Sequence, residues 1–420
     1  MGTAMMNRHS LLIAAAGLSA ACGSSGSDPS PALEGPTATL VAIDTSVTRD
    51  GIVPLPPTVD RRISAVFDRY ADLTAPNGQR IHFLSQGNVP DALLFRTRGL
   101  VRQHIFDVAG ATLGADKTDV FNAMASSQAT LILYESDSTF DIADPDVEEF
   151  LSFFSGIHVA LDASTIVQEA SPEYLQPQPE IDASLDVTVQ FVHRFGIASA
   201  APAFDAQLTG ATAQALSDGI YRPDPDLPTD QVDDAYLGLA LSVYYGSWAH
   251  DPRGDGTAGA DGEYDFADRA SMAAGDPLMV AVIESFFSPS QRFPAYLDES
   301  FNDTFEMTFD PMLPYTFRAR YLERVGVRGV STARINGNDL DNTFLGNDVA
   351  NEFTGGRGND SIEGDAGADV AYFTGNRAEY TIVAVDGTVT EIVDSVADRD
   401  GTDEVRGIVQ LRFADGNVDL

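Results

Sequence analysis

A nine-residue period runs from Gly337 to Tyr372, and it constrains the fold more than any other feature of the chain. Its four consecutive blocks read GNDLDNTFL, GNDVANEFT, GGRGNDSIE and GDAGADVAY. Gly337, Gly346, Gly355 and Gly364 open the blocks, and Asn342, Asn351, Asp360 and Asp369 fill the sixth place. Phe344, Phe353, Ile362 and Ala371 fill the eighth. Self-similarity at this period, with Gly-rich loops and one apolar residue per block, is the pattern of short parallel strands wound into a roll. Glycine admits the positive φ at which carbonyls turn inward. Carbonyl and carboxylate oxygens from stacked turns then form the all-oxygen shell that Ca²⁺ prefers. The apolar eighth residues are expected to fill the thin core between two short sheets.

These blocks resemble the RTX (haemolysin-type) calcium-binding repeat, G-G-x-G-x-D-x-U-x. GGRGNDSIE fits in full. GDAGAD departs at its second glycine place and carries the small Ala371 at the apolar one, and the first two blocks have Asn, a neutral and weaker ligand, at the sixth. Turns of that family stack two repeats apart, so the resemblance pairs Asp360 with the Gly337 turn and Asp369 with the Gly346 turn. It implies one or two calcium ions, held by side-chain or backbone oxygens of Asp360, Asp369, Asn342, Asn351, Gly355, Arg357, Gly364 and Ala366. The alternative is an Asn/Asp/Gly-rich loop series that holds no metal.

The 420 residues suffice for two or three domains. Asp and Glu number 63 against 25 Lys and Arg, a formal charge of −38. Phosphate backbones would be repelled, which argues against a nucleic-acid partner. Such acidity suits a soluble exported protein, and bound calcium would relieve part of the self-repulsion. Arg8 precedes the apolar run LLIAAAGLSAA, too short to span a bilayer and ending in small residues, as a signal peptide over residues 1–21 does. Cys22, the single cysteine, follows at once and excludes an internal disulfide. The arrangement resembles a bacterial lipobox, which implies a lipidated Cys22 anchoring the mature chain to a membrane surface. Ser19 stands where the family usually has Leu, with Leu18 one place earlier, so cleavage after Ala20 or Ala21 stays open. Residues 22–36 read as a flexible tether. The expected location is the outer membrane or cell surface, otherwise the periplasm or the medium.

Residues 37–330 read as an α+β domain, mixed in its first half and mainly helical in its second. Helices are expected over Pro57–Tyr70, Pro90–Val108, 115–127, 145–154, Leu185–Ala198, Ala203–Gly219, Val232–Tyr245 and Arg269–Phe287. Strands are expected over Ile81–Gly87 and at TLILYES. The segment TVQFVHRFGIASA resembles the zinc-binding helix of zincin metallopeptidases, V-H-E-F-G-H-A. His193 matches the first ligand and Phe195–Gly196 the filler, while Arg194 stands at the catalytic Glu and Ile197 at the second His. DDAYLGLALSVYYG resembles the third-ligand helix, with Ala235 in the Glu place beside a matching Tyr236. Arg269, Asp276 and Pro277 match fixed points of the family tail. A zincin needs two His four apart, a third ligand and a Glu to take a proton from bound water. One of those four groups is present, so the resemblance implies a zincin-like fold whose catalytic site has decayed, with His193 as its remnant.

His104, His158, His193 and His250 share no local ligand spacing, His82 lies in an expected strand, and Asp251–Asp265 reads as a mobile loop lacking the bidentate Glu of an EF-hand. Trp248, Tyr244 and Tyr245 fit either a groove or a core at helical spacing. Residues 374–420 alternate apolar and polar residues around DG turns, which predicts two or three strands capping the roll. The reading as a whole is a mainly helical zincin-like domain, a small parallel roll over 331–373 and a β cap. It describes an exported, non-enzymatic calcium-binding protein whose cleft meets a peptide, protein or glycan. An active metallohydrolase using His193 with His250 or Asp234, and a calcium-dependent adhesin, are the alternatives.

Overall fold

The computed structural model describes residues 35–176, 182–249, 260 and 262–420. Cys22, the signal segment, most of the tether, His250 and most of the loop 251–265 lie outside them. The fold is α+β. Residue contacts divide the chain into two units, the first Met1–Ile166 with Ala183–Gly238 and the second Val167–Asp182 with Leu239–Leu420. Residues expected as one domain over 37–330 therefore contribute to both.

The first unit is built on a five-stranded sheet in the order β1 (Ile52–Pro54), β2 (Arg69–Thr74), β3 (Arg80–Ser85), β4 (Thr130–Tyr134) and β5 (His158–Asp162). β1, β2 and β3 pair antiparallel, and β3, β4 and β5 parallel. The parallel links run through the helices Asp91–Ile105, Thr118–Ser126 and Pro145–Phe153. β4 is buried at every residue, as a strand covered on both faces must be. One sheet face rests on Ile63, Phe67, Tyr70, Leu84, Ile132 and Phe150. The helix expected over Pro57–Tyr70 is confined to Arg61–Ser64, capped by Asp60, which accepts from Arg62 N. Tyr70 instead pairs with Leu84, and its hydroxyl lies 2.9 Å from His82 Nδ1. Sheet pairing and burial outweigh the local helical pattern there.

In the second unit the helix expected over Arg269–Phe287 is two helices, Arg269–Gly275 and Pro277–Phe286. Pro277 disfavours helical backbone at Asp276, whose side chain instead caps Met279 N. Asp268 and Ser271 form a reciprocal capping box on the first of the two. Asp268→Ala should cost about 1 kcal/mol, read as a drop of roughly 2–4 °C in the unit's melting temperature.

The rest of this unit is strand. In chain order these are β6 (Ala295–Tyr296), β7 (Thr304–Glu306), β8 (Arg324–Gly326), β9 (Arg334–Asn336), β10 (Thr343–Leu345), β11 (Glu352–Thr354), β12 (Ser361–Glu363) and β13 (Asp369–Tyr372). β14 (Tyr380–Ala384), β15 (Val389–Asp394), β16 (Thr402–Arg406), β17 (Ile408–Phe413) and β18 (Gly416–Asp419) follow. Alternate strands go to two sheets, ordered β14-β15-β16-β12-β10-β8-β6 and β18-β17-β13-β11-β9-β7. Pairing is parallel from β6 to β16 in one sheet and from β7 to β17 in the other. Phe344 lies opposite Ile362, and Phe353 opposite Ala371, each pair two blocks apart. All four eighth-place residues are buried, and the Phe344 and Phe353 rings stack across the two sheets at 6.0 Å. The stack begins at Ala295, well before the period becomes visible. The C-terminal stretch supplies five strands where two or three were expected.

Candidate metal centre

The turns that join the stacked strands are of two chemical kinds. In the first two blocks an asparagine closes the turn on itself. Asn342 Oδ1 accepts from Asn338 N at 3.1 Å, and its Nδ2 donates to Asn338 Oδ1 at 3.1 Å. Asn351 Oδ1 likewise accepts from Asn347 N at 3.1 Å, and its Nδ2 donates to Ser331 O at 3.0 Å. Asn338 and Asn347 reach further back, to Leu322 O and Ser331 O, both at 2.9 Å. Asn342 and Asn351 were expected to offer ligand oxygens. Each Oδ1 accepts one backbone N–H of its own turn, and each Nδ2 latches the turn to the segment before it.

The third and fourth blocks carry carboxylates at the same place. Asp360 Oδ1 accepts from Asn342 N, and Asp369 Oδ1 from Asn351 N, both at 2.7 Å, so each Asp meets the turn two blocks earlier. Oδ2 of each is buried and meets no hydrogen-bond donor. The backbone changes with the residue: Gly356 has φ +97° and Asp365 φ +69°, where Asn338 and Asn347 at the same second place keep negative φ. A buried carboxylate oxygen without a partner costs at least 1–3 kcal/mol and calls for an explanation such as an ion. Burial pushes Asp360 up to about 7 against the Asn342 hydrogen bond, and the charges of Asp341 and Asp400 add to the rise. Asp369 is pushed up to about 6, by burial first and then by Asp365.

The other expected ligands divide by exposure. Gly355 and Gly364 are buried, and their carbonyl oxygens lie against Gly337 and Gly346, where a methyl group on either glycine would fall 1.9 and 2.4 Å away. Arg357 and Ala366 are exposed at the rim, and the Arg357 guanidinium sits 3.6 Å from Asp339. Among the described residues no three His, Cys, Asp or Glu side chains gather as a metal-holding group. A cation here would therefore take one carboxylate per turn and draw its remaining oxygens from the backbone. An all-oxygen set of that kind fits calcium and not zinc.

His193 sits elsewhere, in the first unit, where the helix Ala183–Val192 passes into a π-helical turn over His193–Ile197. Such turns break regular side-chain spacing and collect at functional positions. Gly196 is required there by contact, since a methyl group on it would lie 2.7 Å from Met124 and 2.8 Å from Val120. Nδ1 of His193 makes a short hydrogen bond with Asp234 Oδ1 on the helix Val232–Tyr244. Nε2 lies 3.1 Å from Asp205 Oδ1 on the helix Pro202–Asp218, close enough for charge attraction though not aligned as a hydrogen bond. Burial alone would depress the His193 pKa. The Asp234 hydrogen bond and charge, with Asp205 and Asp233 behind it, carry it above the ordinary value. Carboxylates facing both nitrogens favour the protonated ring, and a protonated ring has no lone pair to offer a metal.

The remaining residues singled out from sequence are structural. His82 and His104 are buried and held neutral, both pushed down to about 3 by burial, and His158 Nδ1 lies 2.8 Å from Phe154 O. Trp248, Tyr244 and Tyr245 are core residues, the Tyr245 hydroxyl donating to Ser288 O. Tyr236 stacks on Tyr221 at 4.5 Å. Arg269 lies over Tyr244 and Tyr321 while its Nε donates to Tyr244 O, and Asp276 accepts from the Tyr264 hydroxyl at 2.6 Å. Sequence reasoning missed Asp205 and the carboxylates of residues 398–403, which no local spacing connects to the sites they face. No family model matches the chain, and no curated protein matches it.

Proposed function

We propose that this chain is an exported calcium-binding protein whose stacked turns form an RTX-type β-roll. Its other domain is a zincin-like fold that binds without cutting. The observation that carries the reading is the pair of buried, donor-less oxygens, Asp360 Oδ2 and Asp369 Oδ2, at the same place in two stacked turns. Calcium would supply the positive charge that offsets the buried carboxylates; the chain's part would be to present Asp360 and Asp369 with the carbonyls of the Gly355 and Gly364 turns and to exclude water from them. The amide-latched turns at Asn342 and Asn351 give the stack a start that needs no ion. Outside a cell, where calcium is plentiful, binding would complete folding after export.

The Asp234–His193 contact favours the non-enzymatic reading of the other domain over a metallohydrolase, because Asp234, the suggested replacement ligand, is engaged by the ring itself. A peptide, protein or glycan partner follows from the fold resemblance alone. Attachment through a lipidated Cys22, at the outer membrane or cell surface, rests on the lipobox resemblance. No described helix is long and apolar enough to cross a membrane.

Calcium binding by the full chain, prepared free of chelator and measured by equilibrium dialysis beside elemental analysis, tests the reading. One or two equivalents of calcium without zinc are expected. Absence of calcium at millimolar concentration would sink it, and one firmly held zinc would restore the hydrolase.

A further inference from the structure

The turn Asp398–Asp403 follows the inserted hairpin β14–β15 and lies outside the visible nine-residue period. Its block, DRDGTDEVR over residues 398–406, nevertheless carries Gly401 at the fourth place, Asp403 at the sixth and Val405 at the eighth. Four independent registers place it directly on the third block. In the strands, Ile362 pairs with Val405 as Phe344 pairs with Ile362. Along the sixth places, Asp403 Oδ1 accepts from Asp360 N at 2.8 Å, repeating the bond from Asn342 N to Asp360 Oδ1 at 2.7 Å. Along the fifth, Asp341 Oδ1 accepts from Asn359 N at 2.8 Å and Asn359 Oδ1 from Thr402 N at 3.0 Å. At the fourth, a methyl group on Gly358 would fall 2.5 Å from Leu340 O, and one on Gly401 1.8 Å from Gly358 O. Both glycines have positive φ, +116° and +79°. Asp360 and Asp403 are separated by 43 residues instead of the 18 between Asn342 and Asp360; the difference, 43 − 18 = 25, is the segment 373–397 that contains the hairpin.

We infer that residues 398–406 are a displaced fifth turn of the stack, and that Asp403 and Asp360 together hold a calcium ion between their turns. This rests on the reading that the Asp turns bind calcium, and it adds a ligand and a closing turn that the repeat pattern does not reveal. Asp360 is 2% exposed with an unpartnered Oδ2, and Asp403, also 2% exposed, is bonded to its backbone. Two carboxylates buried on adjacent turns repel one another. A divalent cation removes that repulsion, and the Gly358 carbonyl at the Gly401 contact is an oxygen of the same turn pair. Calcium would thereby tie the chain after the hairpin back onto the repeats.

The test is calcium binding by the full chain as wild type, Asp403→Asn and Asp369→Asn. Asn at 403 keeps the Oδ1 acceptor for Asp360 N, so the ladder persists while the charge goes. D403N should lose one equivalent, or bind it at least tenfold more weakly, and D369N should lose a different one. Wild-type stoichiometry and affinity in D403N would overturn the fifth-turn site, whereas a wild type that binds no calcium would overturn the parent reading instead. Hydrogen exchange of the wild type covers the case of a misfolded variant. Amides of 398–406 should exchange at least tenfold more slowly with calcium than with chelator, and equal rates would overturn the proposal.

Discussion

Stripping calcium from the full chain is expected to lower the melting temperature of the second unit by roughly 10–20 °C. A ligand present at a hundred times its dissociation constant stabilises by about 2.7 kcal/mol per site. Two ions give about 5 kcal/mol, and a unit of this size moves roughly 2–4 °C per kcal/mol. The size of the effect follows from where the charges sit. Asp360 and Asp369 are buried at 2% and 0% exposure, so without an ion their uncompensated oxygens weigh on the folded state alone. Differential scanning calorimetry in calcium and in chelator reads the shift directly, and Asp369→Asn should remove about half of it. Superimposable scans would mean that the turns are closed by hydrogen bonds only. The amide turns at Asn342 and Asn351 predict the complementary detail: exchange protection of β9 and β10 should survive chelation better than that of β12 and β13.

Asp234→Asn is expected to destabilise the first unit by about 3 kcal/mol near pH 6, the scale of a buried pair that loses one partner. His193 is buried, Asp234 is nearly so, and the helices that carry them meet at this contact. The sign of the pH dependence is set by the imidazole. Its folded pKa is raised above its unfolded value, so the stabilisation is fully present below about 6.5, the ordinary histidine value. It is lost as pH rises from there through the folded pKa. The difference between wild type and D234N in urea denaturation should therefore be largest between about pH 5 and 6.5 and shrink above that. His193→Gln should abolish the pH-dependent part, and an NMR titration should place the His193 pKa above that of an exposed histidine. A gap between wild type and D234N that is constant with pH would show that the ring is neutral and the contact a simple hydrogen bond.

Much of the second unit was legible from residues 337–372 because a short period is a local property. Gly, a sixth-place Asn or Asp and an eighth-place apolar residue recur within nine positions, and Phe344, Phe353, Ile362 and Ala371 are buried on alternate sheets as that period demands. Helices with a long periodic face, such as Asp91–Ile105 and Pro202–Asp218, were legible for the same reason. Tyr70 was not, since its place in β2 depends on Leu84 and His82 across the sheet.

By itself, then, the sequence determined the α+β class, the stacked turns and their supply of oxygens, all set by neighbours a few residues apart. Tertiary structure alone decided what each oxygen does. Asn342 and Asp360 occupy the same place in their blocks, yet one accepts from Asn338 N in its own turn and the other, in a turn with positive φ at Gly356, keeps a bare oxygen. His193 meets Asp205 and Asp234, and Asp360 meets Asp403, through contacts spanning up to 43 residues. Burial, charge pairing and register across such distances belong to the folded chain, and no local pattern carries them.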